Sequence, residues 1–177
     1  MSLDDHERCL ACGFDGAIYD DESLIAAIAA LGEAWRSLLR KAGRELRVRP
    51  QPGTWSAIEY AAHSRDITAL HVFGVEQALT GNEPSFPAID GDALIDATSA
   101  QYADEDPDAV VDELDRQAHL LARLAADAGV EAWDRRITIG DYRSTVRRLL
   151  EHALHDSRHH LDDVERGFGE LRSSTGG

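Results

Sequence analysis

Apolar positions recur with a helical period over most of the chain. From about Glu22 to Arg44, Leu24, Ile25, Ile28, Leu31, Trp35, Leu38 and Leu39 fall at i, i+3, i+4 and i+7 spacing, which predicts a first helix. Gly43 and the segment from Arg47 to Gly53, with Pro50 and Pro52, interrupt it. A second helix is predicted from Ser56, where Ser56 and Glu59 spell a capping box, to Leu79 before Gly81. A Pro-interrupted stretch from Asn82 to Ala88 follows, then a weaker helical pattern near Asp92–Tyr102. Asp106 and Pro107 supply an N-cap and a first-turn proline for a third helix that ends before Gly129. Trp133 to Tyr142 reads as an extended connection, and a fourth helix runs from Ser144 to Arg166, with Gly167 placed to end it. The expected fold class is all-α: a four-helix bundle over residues 22–167, with a short extra helix between the second and third. An N-terminal arm (1–21) precedes it and a flexible tail (168–177) follows.

Composition narrows the function classes. A chain of 177 residues, 43% hydrophobic and 29% charged, supports one domain with a core and is too apolar to be disordered. The longest apolar run, Leu24–Leu31, is far shorter than the roughly 20 residues a membrane-spanning helix needs. Met1 to Arg8 is polar and acidic rather than signal-like, so the expectation is a cytoplasmic protein without a membrane partner. With 33 acidic residues against 18 basic ones the net charge is −15, and no basic cluster exceeds a local pair. Nucleic acid, which demands a basic face, is excluded as a partner. A small-molecule substrate and a homodimer are the expected associations. One lysine, Lys41, against 17 arginines, with abundant Ala, Asp and Leu, is a composition of high-GC genomes.

Four of the eight histidines fall between residues 152 and 160. Two i, i+4 pairs compete there as metal ligands, His155 with His159 and Asp156 with His160. Val146, Leu149, Leu150, Ala153, Leu161 and Val164 define the apolar arc of that helix. His160 lies inside the arc and Asp156 at its edge, whereas His152, His155 and His159 lie on the flank or the solvent side. On the second helix His63 shares an apolar face with Ile67 and Leu70. His63, Asp156 and His160 would make a three-ligand set with coordination positions open to water or substrate, and His155/His159 stays the alternative pair. Glu59, one turn before His63, is a candidate catalytic base or orienting acceptor, as is Asp66; the capping box is the competing role for Glu59.

Cys9 and Cys12 are too few for a disulfide framework. As C-x-x-C-G they suit a structural metal completed by His6 and one further ligand, a redox dithiol, or a silent reduced pair.

Thr54-Trp55-Ser56-x-x-Glu59-x-x-x-His63, together with Asp156-x-x-x-His160-Leu161-x-x-Val164, resembles the DinB-like superfamily of four-helix bundles. That superfamily includes bacillithiol transferases and mycothiol-dependent maleylpyruvate isomerases. The resemblance spans about Glu22 to Gly167 and implies a divalent metal, zinc or nickel, on His63, Asp156 and His160. The family usually has His or Glu where this chain has the shorter Asp156. The Cys9-x-x-Cys12-Gly13 knuckle is similar to one at the start of some actinobacterial members. The implied activity is transfer or isomerisation through a metal-activated low-molecular-weight thiol, mycothiol. Arg65, Arg143, Arg147 and Arg158 are candidates to hold that polar cosubstrate. Metal-dependent hydrolysis is the alternative from the same machinery. A non-catalytic bundle that binds a small molecule or dimerises, its metal site degenerate, is the alternative from another class.

Overall fold

A computed structural model of the chain describes residues 6–88 and 99–175. The main elements among the described residues are, in chain order, α1 Asp21–Ala29, α2 Leu31–Ala42, α3 Ala57–Thr80, β1 Ser85–Phe86, α4 Pro107–Ala128, β2 Arg136–Ile139, β3 Tyr142–Thr145 and α5 Val146–Thr175. The predicted first helix is two pieces, α1 and α2, meeting at Ala30. Together they form one arm of a four-helix bundle, packing on α4 and α5, which in turn flank α3. The weak helical pattern near Asp92–Tyr102 lies mostly outside the described residues; positions 99–102 are helical.

Each helix is set by local chemistry before it is set by packing. Asp20 and Asp106 accept the Ser23 and Ala109 amides at the starts of α1 and α4, with Pro107 in the first turn. The capping box at α3 forms as predicted. Ser144 belongs to β3 rather than to the last helix, and the Thr145 hydroxyl accepts the Arg148 amide at its start.

The last helix also ends later than Gly167 predicts, running on to Thr175. A glycine stops a helix only when no packing rewards continuation. Here Phe168 is buried, Leu171 packs against the core, and a Cβ on Gly167 would already touch Pro50. Residues 168–175 therefore extend the bundle helix instead of forming a tail.

The core is aliphatic, with Leu24, Ile28, Trp35, Ile58, Leu114, Leu121 and Leu150 fully enclosed. Trp35 carries the one polar atom of that set of apolar side chains, and its indole N–H donates to Ser157 Oγ at 2.8 Å, tying α2 to α5. The extended segment after α4 is a hairpin, β2 with β3 antiparallel through Gly140, whose φ of +59° suits only glycine well. β1 adds in parallel on β2, and Phe86 meets Phe73 of α3 at 5.5 Å between ring centroids. Among the described residues no helix is long and apolar enough to cross a membrane.

Gly32 marks the closest approach of α2 to α4. A Cβ there would sit 2.6 Å from the Asp115 Cα, which is backbone and cannot swing aside. Overpacking of this kind costs about 1–3 kcal/mol, against about 1 kcal/mol gained in helix propensity. Gly32→Ala is expected to lower unfolding free energy in urea by up to about 2 kcal/mol; a gain in stability would refute the close approach.

The N-terminal arm lies along α5. Glu151, wholly buried, accepts His6 Nδ1 at 2.7 Å, the Glu7 amide at 2.8 Å and Arg147 Nε at 2.6 Å. Arg147 reaches on to Asp21 and the Tyr19 carbonyl, and Arg148 pairs with Glu7 at 2.7 Å. Gly16 abuts Glu151 so closely that a Cβ would lie 2.6 Å from its carboxyl carbon.

Candidate metal centre

α3 and α5 lie side by side, and each turns one metal-ligating face toward the other. His63 comes from α3, Asp156 and His160 from consecutive turns of α5. The structure brings all three together: each offers a ligand atom, and these atoms lie within 4.8 Å of one another. The His63 and His160 rings meet edge to face at 5.1 Å, with Tyr60 on the other side of His160 at 5.0 Å and Trp55 against His63 at 5.1 Å.

Protonation states suit ligation. Burial pushes the His63 imidazole below its ordinary pKa, only partly opposed by Asp156, so the neutral ring keeps a lone pair to donate. Asp156 Oδ1 lies 3.7 Å from His160 Nε2, and its Oδ2 is buried with no hydrogen-bond partner among the described residues. A buried carboxylate oxygen without a partner is costly, and a cation is one of the few groups that removes the cost. The short Asp156 side chain still reaches the cluster. The donor set of two imidazoles and one carboxylate fits zinc or nickel and leaves positions open.

Asp163, which the sequence reading passed over, orients this site. Its Oδ2 accepts from His160 Nδ1 at 3.1 Å and so leaves Nε2 facing Asp156. The same oxygen is 3.7 Å from His159 Nε2, and Arg166 holds Oδ1. The i+3 and i+4 spacing of Asp163 from the two histidines was the available signal.

A cleft of about 650 Å³ opens beside the triad, with Asp156 in its wall. The rest of the lining is largely apolar, including Ile67, Phe73, Phe86, Ile137 and Leu149. His71, two turns beyond His63 on α3, also lines it. Its Nδ1 donates to the Ile67 carbonyl at 2.8 Å, which leaves Nε2 as the lone-pair nitrogen.

Burial, followed by repulsion from His152, pushes His71 down to about 4, while Glu7 holds His152 above its ordinary value. Between pH 6.5 and about 4 the unfolded chain binds a proton that folded His71 refuses. Stability from this residue is thus complete above pH 6.5 and is lost as pH falls, at about 1.4 kcal/mol per unit. Wild type should lose about 2 kcal/mol more than His71→Gln between pH 7 and 5 in urea unfolding. Parallel pH profiles for the two proteins would contradict it.

Other expected residues are placed differently. Both Glu59 oxygens have partners: it accepts from the Ser56 amide at 2.9 Å and the Ser56 hydroxyl, and pairs with Arg49. The capping role is the one these contacts show. Asp66 accepts from Arg65 and from the Tyr102 hydroxyl, each at 2.8 Å. Arg65 also pairs with Glu105, and Arg158 holds the Tyr19 hydroxyl. His6 is bound to Glu151 and does not join the cysteines. His155 and His159 are not solvent-facing as helical phase predicts, because the arm covers them: Phe14 stacks on His155 at 5.0 Å. They meet Cys9 and Cys12 rather than the triad.

A four-helix bundle whose second and last long helices bring three candidate metal donors together beside a cleft defines a class of metal-binding helical bundles. The chain belongs to the DinB superfamily, whose sequence profile matches residues 24–164. Its fold is similar to that of YfiT from Bacillus subtilis, a probable metal-dependent hydrolase with an unusual four-helix bundle topology. The TM-score is 0.76 at 14% identity, over 85% of this chain and 87% of that one. No curated protein matches the chain by sequence.

Proposed function

We propose that this chain is a divalent-metal-dependent enzyme, a hydrolase acting on small, largely apolar substrates. The observation that carries the reading is the convergence of His63, Asp156 and His160, with an Asp156 carboxylate oxygen that is buried and has no hydrogen-bond partner among the described residues. A divalent cation held there supplies Lewis acidity, making a water or a thiol acidic enough to serve as a nucleophile near neutral pH. The apolar cleft binds and desolvates the substrate against Phe73, Phe86 and Ile139. Asp163 fixes the ring of His160, and neutral His71 presents Nε2 at the cleft wall as a hydrogen-bond acceptor. The fold shared with YfiT supports hydrolysis.

Transfer or isomerisation through mycothiol is the second reading, favoured by membership of a superfamily that includes mycothiol-dependent enzymes. Against it, Arg65 and Arg147, two of the arginines expected to hold that cosubstrate, sit in ion pairs. The test is turnover by zinc- or nickel-loaded protein of a panel of apolar esters and amides, with and without mycothiol. Metal-dependent hydrolysis without thiol supports the first reading, and strict dependence on mycothiol supports the second. Metal-independent turnover that persists in His63→Ala would overturn both.

A further inference from the structure

We propose that Cys9, Cys12, His155 and His159 form a second metal site, a closed zinc centre that clips the N-terminal arm onto α5. All four ligand atoms lie within 4.8 Å of one another, with Cys9 Sγ 3.9 Å from His159 Nδ1. Zinc bonds of about 2.3 Å to sulfur and about 2.0 Å to nitrogen place tetrahedral ligand atoms about 3.3–3.8 Å apart. The observed cluster therefore needs a contraction of at most about 1.5 Å at any pair.

Each half of the donor set is built for the purpose. In the arm, the Cys9 amide donates to the Phe14 carbonyl at 2.9 Å, and Gly13 takes a φ of +72° to close the knuckle. On α5, His155 and His159 are one turn apart, the spacing that lets two imidazoles reach one ion. Both ring nitrogens of His155 are buried without a hydrogen bond among the described residues, although Glu7 Oε1 lies 3.1 Å from Nδ1. His159 turns Nδ1 to Cys9 while Asp163 stands behind Nε2. That is a carboxylate–imidazole–metal arrangement.

Chemistry and charge agree. Two thiolates cancel the two charges of the cation, so the centre is neutral where it meets the core-side face of Phe14. Four protein donors leave no coordination position open, which makes the site structural, in contrast to the neighbouring three-donor set of His63, Asp156 and His160. The two cysteines are free thiols, available as ligands. The stretch of backbone held between them carries Leu10, which is fully exposed, so the packing of the arm at its tip rests on the centre rather than on apolar burial.

The experiment is metal analysis of the full chain, produced without a histidine tag and loaded with zinc or with cobalt as its spectroscopic substitute. Wild type is expected to hold a tightly bound equivalent whose cobalt form shows thiolate-to-metal charge transfer. Cys9→Ser with Cys12→Ser should lose that equivalent and that band, whereas His63→Ala with His160→Ala should keep both. The latter variant separates this centre from the triad, so either can fail alone. A variant-free readout covers misfolding: in wild type both thiols should resist alkylation and become reactive when a strong chelator is added. Thiols alkylated equally fast with and without zinc, or a cobalt protein lacking the charge-transfer band, would overturn the proposal.

Discussion

Alanine at His160 is expected to weaken zinc or nickel binding at the triad by more than about 100-fold, the upper range for loss of a mere outer-shell partner. The prediction rests on position. His160 contributes Nε2 to a cluster in which, among the described residues, three protein donors converge, and losing one leaves His63 and Asp156. The ring is held between Tyr60 and His63 and is only partly buried, so its removal should leave the bundle folded. Competition against a chelating dye, beside circular dichroism for fold, reads both effects. His155→Ala with His159→Ala should leave triad affinity within a few-fold. If that double variant loses triad metal while His160→Ala retains it, the ligand assignment is wrong.

The second large effect is on stability. Glu151→Ala is expected to cost about 3–5 kcal/mol of unfolding free energy, the range for removing one partner from a buried charge cluster. Glu151 has no exposure and three donors: His6, the Glu7 amide and Arg147. Arg147 keeps Asp21 and the Tyr19 carbonyl, which argues for the lower half of that range. Gly16, packed against the carboxyl group, would face a void instead. Glu151→Gln keeps an acceptor for the Glu7 amide and should lose less than the alanine variant. Urea unfolding measures both, and a loss under about 1 kcal/mol for Glu151→Ala would show that the arm does not depend on this residue.

Much of the bundle and the triad is legible in the sequence because both follow from local rules. The α3 capping box, the Asp106–Pro107 start of α4 and the 3.6-residue apolar period are short-range signals, and each reappears in the structure. Helical phase alone turns His63 and His160 inward, which is why that pair converges. The same phase argument fails for His155 and His159, since it assumes that whatever lies off the apolar arc meets solvent. A chain segment some 150 residues away covers them, and no periodicity within α5 encodes that. Gly167 fails for a related reason: its helix-ending tendency is weaker than the burial of Phe168 beyond it. Glu59 was legible in both roles, and its contacts with Ser56 and Arg49 show the capping one.

The most direct test of the central claim is anomalous diffraction from a crystal of the zinc-loaded full chain, measured on both sides of the zinc absorption edge. An edge-dependent peak within about 2.0–2.2 Å of imidazole nitrogens of His63 and His160 and a carboxylate oxygen of Asp156 is the predicted result. Ordered density for all three side chains at full zinc loading, with no anomalous peak among them, would contradict it.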